Sequence, residues 1–229
     1  MSKTENLIIS LGGSILVPNE IDINFLKQFK RFILQILPNY QRIIIVVGGG
    51  HTNKKYNLAV KELNKNYLNN DLDWLGIKIT KINAELVRLA FGEIAHKNVI
   101  ANPRNKIKSN KKVVIASGWR PGCSTDKNAV WWAKNIGAKL VANLTNINYV
   151  YDGDPAKNPK AKLLKEISWS DYRKIIPKDW TPRLNTPFDP IASRLAQRAR
   201  LKVVILNGCN LKNFERFLQG KKFIGTLIH

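Results

Sequence analysis

The sequence predicts an α/β protein, a three-layer α/β/α sandwich whose central sheet is mostly parallel. Short apolar segments suited to buried strands recur along the 229 residues, and segments with a helical spacing of apolar residues lie between them. This alternation of strands and helices favours a parallel sheet covered by helices on both faces. No repeat or low-complexity linker interrupts the pattern, so we expect residues 1–229 to form one domain.

The predicted sandwich contains six strands and at least four helices. The strands are expected at residues 7–11, 42–47, 112–116, 140–144, 202–206 and 223–228. The first helix should begin after Asp22, a suitable N-cap, and end at Pro38. Further helices are expected at residues 84–91, 129–136 and 191–199, with Pro190 in the first turn of the last one. We expect residues 98–112 to form an exposed loop or hairpin, and residues 152–165 a second loop.

The chain is strongly basic, with 38 Lys and Arg against 16 Asp and Glu and a formal net charge of +22. Such a charge is typical of nucleic-acid-binding proteins and equally of enzymes that handle polyphosphates. The lysines are spread along the whole chain, and no basic block with interleaved aromatic residues stands out. This pattern favours a general compositional bias with a solvated basic surface. Nucleic acid is therefore not the favoured partner, although the charge does not exclude it.

Composition also bears on the cellular location. The two cysteines, Cys123 and Cys209, have no metal-binding spacing, which predicts a reduced cytoplasmic protein without a disulfide framework. The first residues lack the apolar stretch of a signal peptide, and no apolar run approaches the roughly 20 residues needed to cross a bilayer. Three histidines leave little material for a metal site, and we predict no metal held by protein ligands alone.

Two glycine-rich turns follow predicted strands. Gly12, Gly13 and Ser14 come after the first strand, and a run of three glycines that includes Gly49 and Gly50 comes after the second. Glycines at the carboxyl end of a parallel strand let backbone N–H groups approach phosphate oxygens. Neither turn matches the dinucleotide or Walker A pattern. A tight turn needs no ligand, but two such turns in a very basic chain favour a phosphate site.

Two polar segments also follow predicted strands. The first runs through Trp119, Arg120, Pro121, Gly122, Cys123, Ser124, Thr125 and Asp126, and it opens a helix. Ser-Thr-Asp is good capping chemistry, but capping does not require the loop that precedes it. The second segment contains Thr145, Asn146, Tyr151 and Asp154, which supply polar groups, an aromatic ring able to stack on a base, and a carboxylate. A turn rich in Asn, Asp and Gly is the alternative interpretation of this second segment, and the less favoured one.

The order of these motifs resembles the amino acid kinase superfamily and, within it, the uridylate kinases of the archaeal type. The resemblance covers nearly the whole chain and rests on six segments: residues 11–14, 47–50, 73–80, 121–126, 145–155 and 189–192. It implies the amino acid kinase fold and transfer of the γ-phosphoryl group of ATP to UMP, which yields UDP and ADP in pyrimidine nucleotide biosynthesis. It also implies Mg²⁺ bound with ATP and a homohexamer built from dimers through the helix at residues 22–37.

The resemblance assigns roles to individual residues of this chain. Residues implied for ATP are Gly12, Gly13, Ser14, Gly50, Thr145, Asn146, Tyr151 and Asp154. Residues implied for UMP are Gly49, Lys54, Asp73, Trp119, Arg120, Pro121, Gly122, Cys123, Ser124 and Thr125. Asp126 and Lys54 are the implied catalytic residues. The N-terminal part of the domain would bind UMP and the C-terminal part ATP.

The chain departs from the family pattern at two places. Ser10 stands where many relatives carry a lysine, and Lys54 stands where an arginine is usual. A lysine cannot make the bidentate contact with phosphate that an arginine makes. Lys55 or Lys127 are candidates to compensate for Ser10. We interpret Trp131 and Trp132 as core and subunit-interface residues, and His51 as a turn residue.

Two other classes of function stay open at this point. One is a kinase of the same superfamily for another acceptor, such as isopentenyl phosphate, carbamate or an amino-acid carboxylate. The other is a non-catalytic nucleotide- or nucleic-acid-binding regulator, an alternative suggested by the net charge and by Ser10. Nucleic-acid binding predicts an affinity that falls steeply with salt.

Overall fold

A computed structural model describes residues 5–178 and 186–229. Its main sheet has seven strands in the order β3-β2-β1-β4-β8-β9-β7. The strands are β1 (Glu5–Leu11), β2 (Tyr40–Val47), β3 (Val113–Ala116), β4 (Leu140–Thr145), β7 (Glu166–Ile167), β8 (Lys202–Asn207) and β9 (Thr226–Ile228). Two short strands, β5 (Val150–Tyr151) and β6 (Leu163–Leu164), form a separate antiparallel pair. Among the seven, only the pairing of β8 with β9 is antiparallel.

The helices connect these strands. They are α1 (Gly13–Leu16), α2 (Ile23–Ile36), α3 (Gly50–Leu63), α4 (Asn69–Phe91), α5 (Thr125–Ile136), α6 (Trp169–Tyr172), α7 (Pro190–Arg198) and α8 (Leu211–Leu218). Oδ1 of Asp22 accepts a 2.8 Å hydrogen bond from the backbone N–H of Phe25, as expected of the N-cap of α2. Pro190 occupies the first turn of α7, where its missing N–H costs no hydrogen bond.

Both faces of the sheet are covered, which explains why its strands are apolar on both sides. Leu7, Ile9 and Leu11 face a core that includes residues of α2, α4 and α8, whereas Ile8 faces a second core with α5, α6 and α7. Alternate residues of one buried strand thus serve two separate cores. The predicted three-layer α/β/α sandwich is confirmed.

The structure corrects several boundaries. Helix α4 begins at Asn69, far before the predicted residue 84. The prediction missed its first half because that half contributes polar residues to a cavity and so lacks a continuous apolar stripe. The predicted loop at residues 152–165 is closed by the β5–β6 pair. The last strand begins at Thr226 rather than at residue 223. His51 lies in the first turn of α3, where its N–H donates a 2.9 Å hydrogen bond to Val17.

The apolar residues of α2 have a different role from the one expected. Phe25, Phe29 and Ile33 are buried in the core of the chain itself, together with Leu26 and Phe32. They are therefore not available to form a subunit interface. No helix within residues 5–178 and 186–229 has the length and apolar character needed to cross a membrane.

Candidate active site

The candidate site lies at the carboxyl edge of the central strands. Strands β1, β2, β3, β4 and β8 are mutually parallel, so the segments that follow them emerge at one edge. These segments are the two glycine turns, residues 117–126, residues 146–149 and residues 208–210. The sheet order therefore brings together groups that are far apart in the sequence.

The two glycine turns pack directly against each other. The backbone N–H of Gly48 donates a 2.9 Å hydrogen bond to Leu11, and a Cβ atom at position 48 would lie 2.6 Å from the backbone nitrogen of Gly13. A Cβ atom at position 13 would collide with the backbone of Gly50, which itself has a positive φ of 64°. Both turns need glycine because two backbones approach each other closely here.

A cavity of about 270 Å³ opens beside this pair of turns. It contains seven residues that the sequence had assigned to acceptor binding or catalysis: Gly49, Asp73, Arg120, Cys123, Ser124, Thr125 and Asp126. It also contains nine residues that the sequence analysis had not assigned: Asn53, Asn57, Leu72, Gly76, Ile77, Thr80, Gly118, Thr186 and Asp189. Ten of the sixteen lining residues have polar side chains, which suits a ligand with many hydrogen-bonding groups.

Three hydrogen bonds hold the loop before α5. Ser124 caps the helix by accepting a 3.1 Å hydrogen bond from the N–H of Lys127, and Nζ of Lys127 donates a 2.9 Å bond to the carbonyl of Gly122. The N–H of Gly122 in turn donates a 2.9 Å bond to Oδ2 of Asp73 on α4. Asp73 therefore fixes the loop with one of its two carboxylate oxygens.

Asp126 lies where β1, α5 and α7 meet. Its Oδ1 accepts a 3.2 Å hydrogen bond from the hydroxyl of Ser10, and its Oδ2 accepts a 3.2 Å bond from the N–H of Asp189. Removal from water, followed by the nearby Asp189 carboxylate, raises the pKa of Asp126 to about 7. Ser10 thus joins the end of β1 to this carboxylate.

Asp189 is a site residue that sequence reasoning had used only for the resemblance. Its Oδ1 caps α7 by accepting a 2.6 Å hydrogen bond from Ala192. Its Oδ2 is buried and has no hydrogen-bond partner among the described residues. Burial also raises the pKa of Asp189. An unpaired carboxylate oxygen beside Asp126 is chemically suited to a cation or a proton donor that arrives with a ligand.

Two asparagines of α3 were missed as well. Asn53 and Asn57 lie one helical turn apart in the cavity wall, and Nδ2 of Asn57 donates a 3.0 Å hydrogen bond to Oδ1 of Asn53. Asn57 is 2% exposed. Their i, i+4 spacing on a helix that begins at the triple glycine was the available signal, because it places both side chains on one face of that helix.

Trp119 and Lys54 do not line the cavity. Lys54 is exposed on α3. Trp119 lies outside the cavity lining, with Cζ of Arg120 4.3 Å and Cζ of Arg104 5.4 Å from its ring centre. Pro121 and Gly122 are likewise absent from the lining, although Gly122 orders the loop through Asp73. Cys123 lines the cavity, and burial raises the pKa of its thiol to about 11, so it is a poor nucleophile at neutral pH.

The residues assigned to ATP lie at the same edge but outside the cavity. Gly12 donates a 2.8 Å backbone hydrogen bond to Leu144 on β4, which joins the first glycine turn to the strand that ends at Thr145. Asn146 follows Thr145, and the Thr145 hydroxyl lies 3.4 Å from Oδ1 of Asn146. Further along, Tyr151 lies in β5, and Asp154 accepts a 3.0 Å hydrogen bond from Ala156. Ser14 and Gly50 lie in α1 and α3 at the paired turns.

The fold and this site define the class of protein. Residues 6–207 match the amino acid kinase family, and the chain belongs to that family.

Within it, the chain is similar to uridylate kinases of archaea. It is 33% identical over 227 residues to a uridylate kinase of Thermococcus kodakarensis, a match that covers 97% of this chain and 98% of that protein. The crystal structure of a uridylate kinase from Archaeoglobus fulgidus superposes with a TM-score of 0.81 at 27% identity, covering 97% of this chain and 99% of the other. A UMP kinase structure from Ureaplasma parvum, at 21% identity and a TM-score of 0.75 over 100% and 99% of the two chains, supports the fold.

Proposed function

We propose that this chain is a UMP kinase that transfers the γ-phosphoryl group of ATP to UMP. The observation that carries the proposal is the polar cavity that contains Asp73, residues 123–126 and Gly49 beside the two packed glycine turns. The similarity to archaeal uridylate kinases over nearly the whole chain supports the same substrate. We further propose one kinase domain over residues 1–229, with UMP bound by its N-terminal part.

In this proposal UMP occupies the cavity. The free oxygen of Asp73 accepts hydrogen bonds from the ribose hydroxyls, while the loop at residues 120–125 surrounds the uracil. Gly49 lies at the end nearest the glycine turns and faces the UMP phosphate. Lys54 is exposed on the same helix and has to extend to this phosphate from outside the cavity wall.

ATP lies on the other side of the paired turns. Gly13, Ser14 and Gly50 present backbone N–H groups to its phosphates, Gly12 holds the turn through its bond to Leu144, and Thr145 and Asn146 continue that edge. Tyr151 and Asp154 contact the adenosine. The two nucleotides then meet phosphate to phosphate over the turns, as an in-line displacement requires.

The chemistry needs little from the protein beyond position and charge. An ionised oxygen of the UMP phosphate attacks the γ-phosphorus of ATP, the bond from that phosphorus to the β–γ bridging oxygen breaks, and ADP leaves. No general base is required because the attacking oxygen is already ionised. Phosphoryl transfer through a loose transition state depends on alignment and electrostatic stabilisation, and Asp126 orders the groups around the transferred phosphoryl.

Mg²⁺ would enter with ATP. Asp126 and Asp189 fit such an ion, because oxygen ligands suit Mg²⁺ and Oδ2 of Asp189 lacks a partner among the described residues. When bound, the ion neutralises charge on the phosphoryl oxygens. The described part of the chain contains no group of three or more His, Cys, Asp or Glu side chains that would hold a metal, so the phosphates have to supply most of the ligands.

The proposal extends to the setting of the enzyme. We propose a cytoplasmic homohexamer that acts in pyrimidine nucleotide biosynthesis. Ile82 and Leu89, two turns apart on α4, are 69% and 61% exposed and offer an apolar surface for association. The apolar face of α2 is not available for this purpose because it is buried within the chain.

An acceptor panel tests the proposed function. With ATP and Mg²⁺, the protein should phosphorylate UMP with a higher kcat/KM than AMP, GMP, CMP, isopentenyl phosphate, carbamate or glutamate. The cavity favours a nucleoside over a prenyl group because, among the described residues that line it, only Leu72, Ile77 and Cys123 are strongly apolar. Equal or faster use of an acceptor that is not a nucleotide would refute the proposal.

A further inference from the structure

Five side chains form an alternating stack of cations and indole rings beside the cavity. We call the set Arg120, Trp119, Arg104, Trp131 and Lys134 the cation–indole ladder. Cζ of Arg120 lies 4.3 Å from the ring centre of Trp119, and Cζ of Arg104 lies 5.4 Å from the ring centres of both Trp119 and Trp131. Nζ of Lys134 lies 4.9 Å from the Trp131 ring. Each distance is within the range of a cation–π interaction.

The ladder is built on a rigid part of the molecule. Trp131 and Lys134 lie on α5, the helix whose first turn contains Asp126, and the neighbouring Trp132 is completely buried. Nδ2 of Asn135, also on α5, donates a 2.7 Å hydrogen bond to the carbonyl of Pro103 and thereby holds the loop that contains Arg104. Trp131 lies on α5, and the loop that contains Arg104 is bonded to the same helix.

Arg120 is the member of the ladder that reaches the cavity. Among the lining residues that the structure describes, it is the only Lys or Arg, whereas three carboxylates, those of Asp73, Asp126 and Asp189, share that lining. A nucleoside monophosphate is an anion, so its entry past three carboxylates depends on where this guanidinium lies. Lys127, which lies nearby, already donates to Gly122.

We propose that the cation–indole ladder positions Arg120 for binding of the acceptor nucleotide. Trp119, Arg104 and Trp131 are positioning residues in this view, and Arg120 is the residue that contacts UMP. The inference rests on the proposed function. Without the ladder, a long exposed arginine samples many rotamers, and part of the binding free energy is lost in ordering it.

Steady-state kinetics of variants outside the cavity lining test the proposal. Trp131→Leu and Arg104→Met each remove one side chain of the ladder, and neither residue lines the cavity. Each is expected to raise the KM for UMP two- to fivefold and to leave kcat and the KM for ATP within a factor of about 1.5. Trp131→Phe and Arg104→Lys keep a ring and a cation and should restore most of the affinity. Arg216→Met, at an exposed arginine bonded to Lys222, is the matched control.

A double-mutant cycle separates positioning from a general structural effect. Arg120→Gln is expected to raise the KM for UMP at least tenfold. If Trp131 acts through Arg120, the double variant Arg120→Gln/Trp131→Leu should be no worse than Arg120→Gln alone. Additive effects, or an equal rise in the KM for ATP, would overturn the proposal.

Calorimetric titration with UMP distinguishes the failure of this inference from failure of the proposed function. If the wild-type protein binds UMP but does not phosphorylate it, and Trp131→Leu weakens that binding, the kinase proposal fails and the ladder stands. If the wild-type protein is active and the UMP affinity of Trp131→Leu and Arg104→Met is unchanged, the ladder proposal fails alone. A protein that neither binds nor phosphorylates UMP contradicts both.

Discussion

At the scale of single residues, Asp126 shows how environment changes an ordinary carboxyl group. Two hydrogen bonds favour its ionised form, but removal from water and the carboxylate of Asp189 outweigh them and raise its pKa to about 7. Burial likewise raises the pKa of Tyr172, whose hydroxyl group is bonded to the backbone of Phe188. The site therefore contains a carboxyl group that titrates near neutral pH.

This pKa predicts a pH dependence of stability. Because the pKa of Asp126 is higher in the folded than in the unfolded protein, the folded state binds the extra proton more tightly between about pH 4 and 7. The Asp126 contribution to the free energy of unfolding should therefore fall as pH rises through that window. Asp126→Asn removes this contribution, so its stability relative to wild type should increase from pH 4 to pH 8 in urea titrations.

The comparison uses the change with pH rather than the absolute stability. An asparagine cannot accept both hydrogen bonds of Asp126, so the variant carries a cost that does not depend on pH. The corresponding control is Asp71→Asn, an exposed carboxylate in the first turn of α4. A difference between Asp126→Asn and wild type that stays constant from pH 4 to pH 8 would contradict the assigned pKa.

Asp73 permits a second prediction at this scale. Asp73→Ala removes the acceptor for Gly122 and the oxygen proposed for the ribose, so the KM for UMP should rise at least tenfold and the KM for ATP by less than twofold. Asp73→Asn keeps one acceptor oxygen, so its KM for UMP should lie between those of the wild type and Asp73→Ala. A larger loss of ATP affinity than of UMP affinity would mean that the two nucleotide sites are reversed.

At the scale of elements, the paired glycine turns are the least replaceable backbone in the structure. Gly50 has a φ of 64° and lies against the backbone of Gly13, whereas Gly137, the C-cap of α5, has a φ of 67° with no atom near an added Cβ. Gly137→Ala should cost about 1 kcal/mol, the usual penalty for a left-handed alanine. Gly50→Ala should cost clearly more because strain and steric overlap add.

Urea unfolding of the two glycine variants provides the measurement. Equal losses of unfolding free energy in Gly50→Ala and Gly137→Ala would show that the turns can separate, and that their close packing is not needed. Loss of ATP binding only in Gly50→Ala would further support the assignment of phosphate to these turns.

Local pattern was sufficient for the long buried strands and for several helix starts, and insufficient for the first half of α4 and the short elements. Continuous apolar runs located β1, β2, β4 and β8 to within two residues, and Asp22 and Pro190 located the helix starts. The first half of α4 was missed because periodicity detects a helix by its apolar face, and here that face contributes Asp73 and Gly76 to the cavity. The residues of α4 that line the cavity therefore interrupt the apolar periodicity by which the helix would have been predicted.

At the scale of the whole molecule, the charge cannot be neutralised internally. Sixteen acidic residues cannot pair with 38 basic ones, and the ion pairs within the described residues, such as Lys174 with Asp171, lie at the surface. Self-repulsion of a net charge of +22 destabilises the compact state, and salt screens it over about 10 Å at 0.1 M.

Raising NaCl from about 20 to 300 mM should therefore raise the thermal midpoint of unfolding by several degrees. Differential scanning fluorimetry provides the measurement, and uncharged sucrose at matched osmolality serves as the control for solvent exclusion. A midpoint that stays constant or falls with NaCl would mean that the Lys and Arg side chains are far enough apart for their mutual repulsion not to destabilise the fold.

By itself, the sequence determined the class of fold, the strand positions, the glycine turns and the order of motifs on which the family resemblance rests. These are local properties, because burial, capping and backbone freedom depend on a residue and its near neighbours. Only the tertiary structure decided that Asp189 lies beside Asp126, that Lys54 lies outside the cavity, and that Arg104 stacks between Trp119 and Trp131. Those contacts depend on the order β3-β2-β1-β4-β8 and on loop packing, which bring distant segments to one edge and leave no periodic trace in the chain.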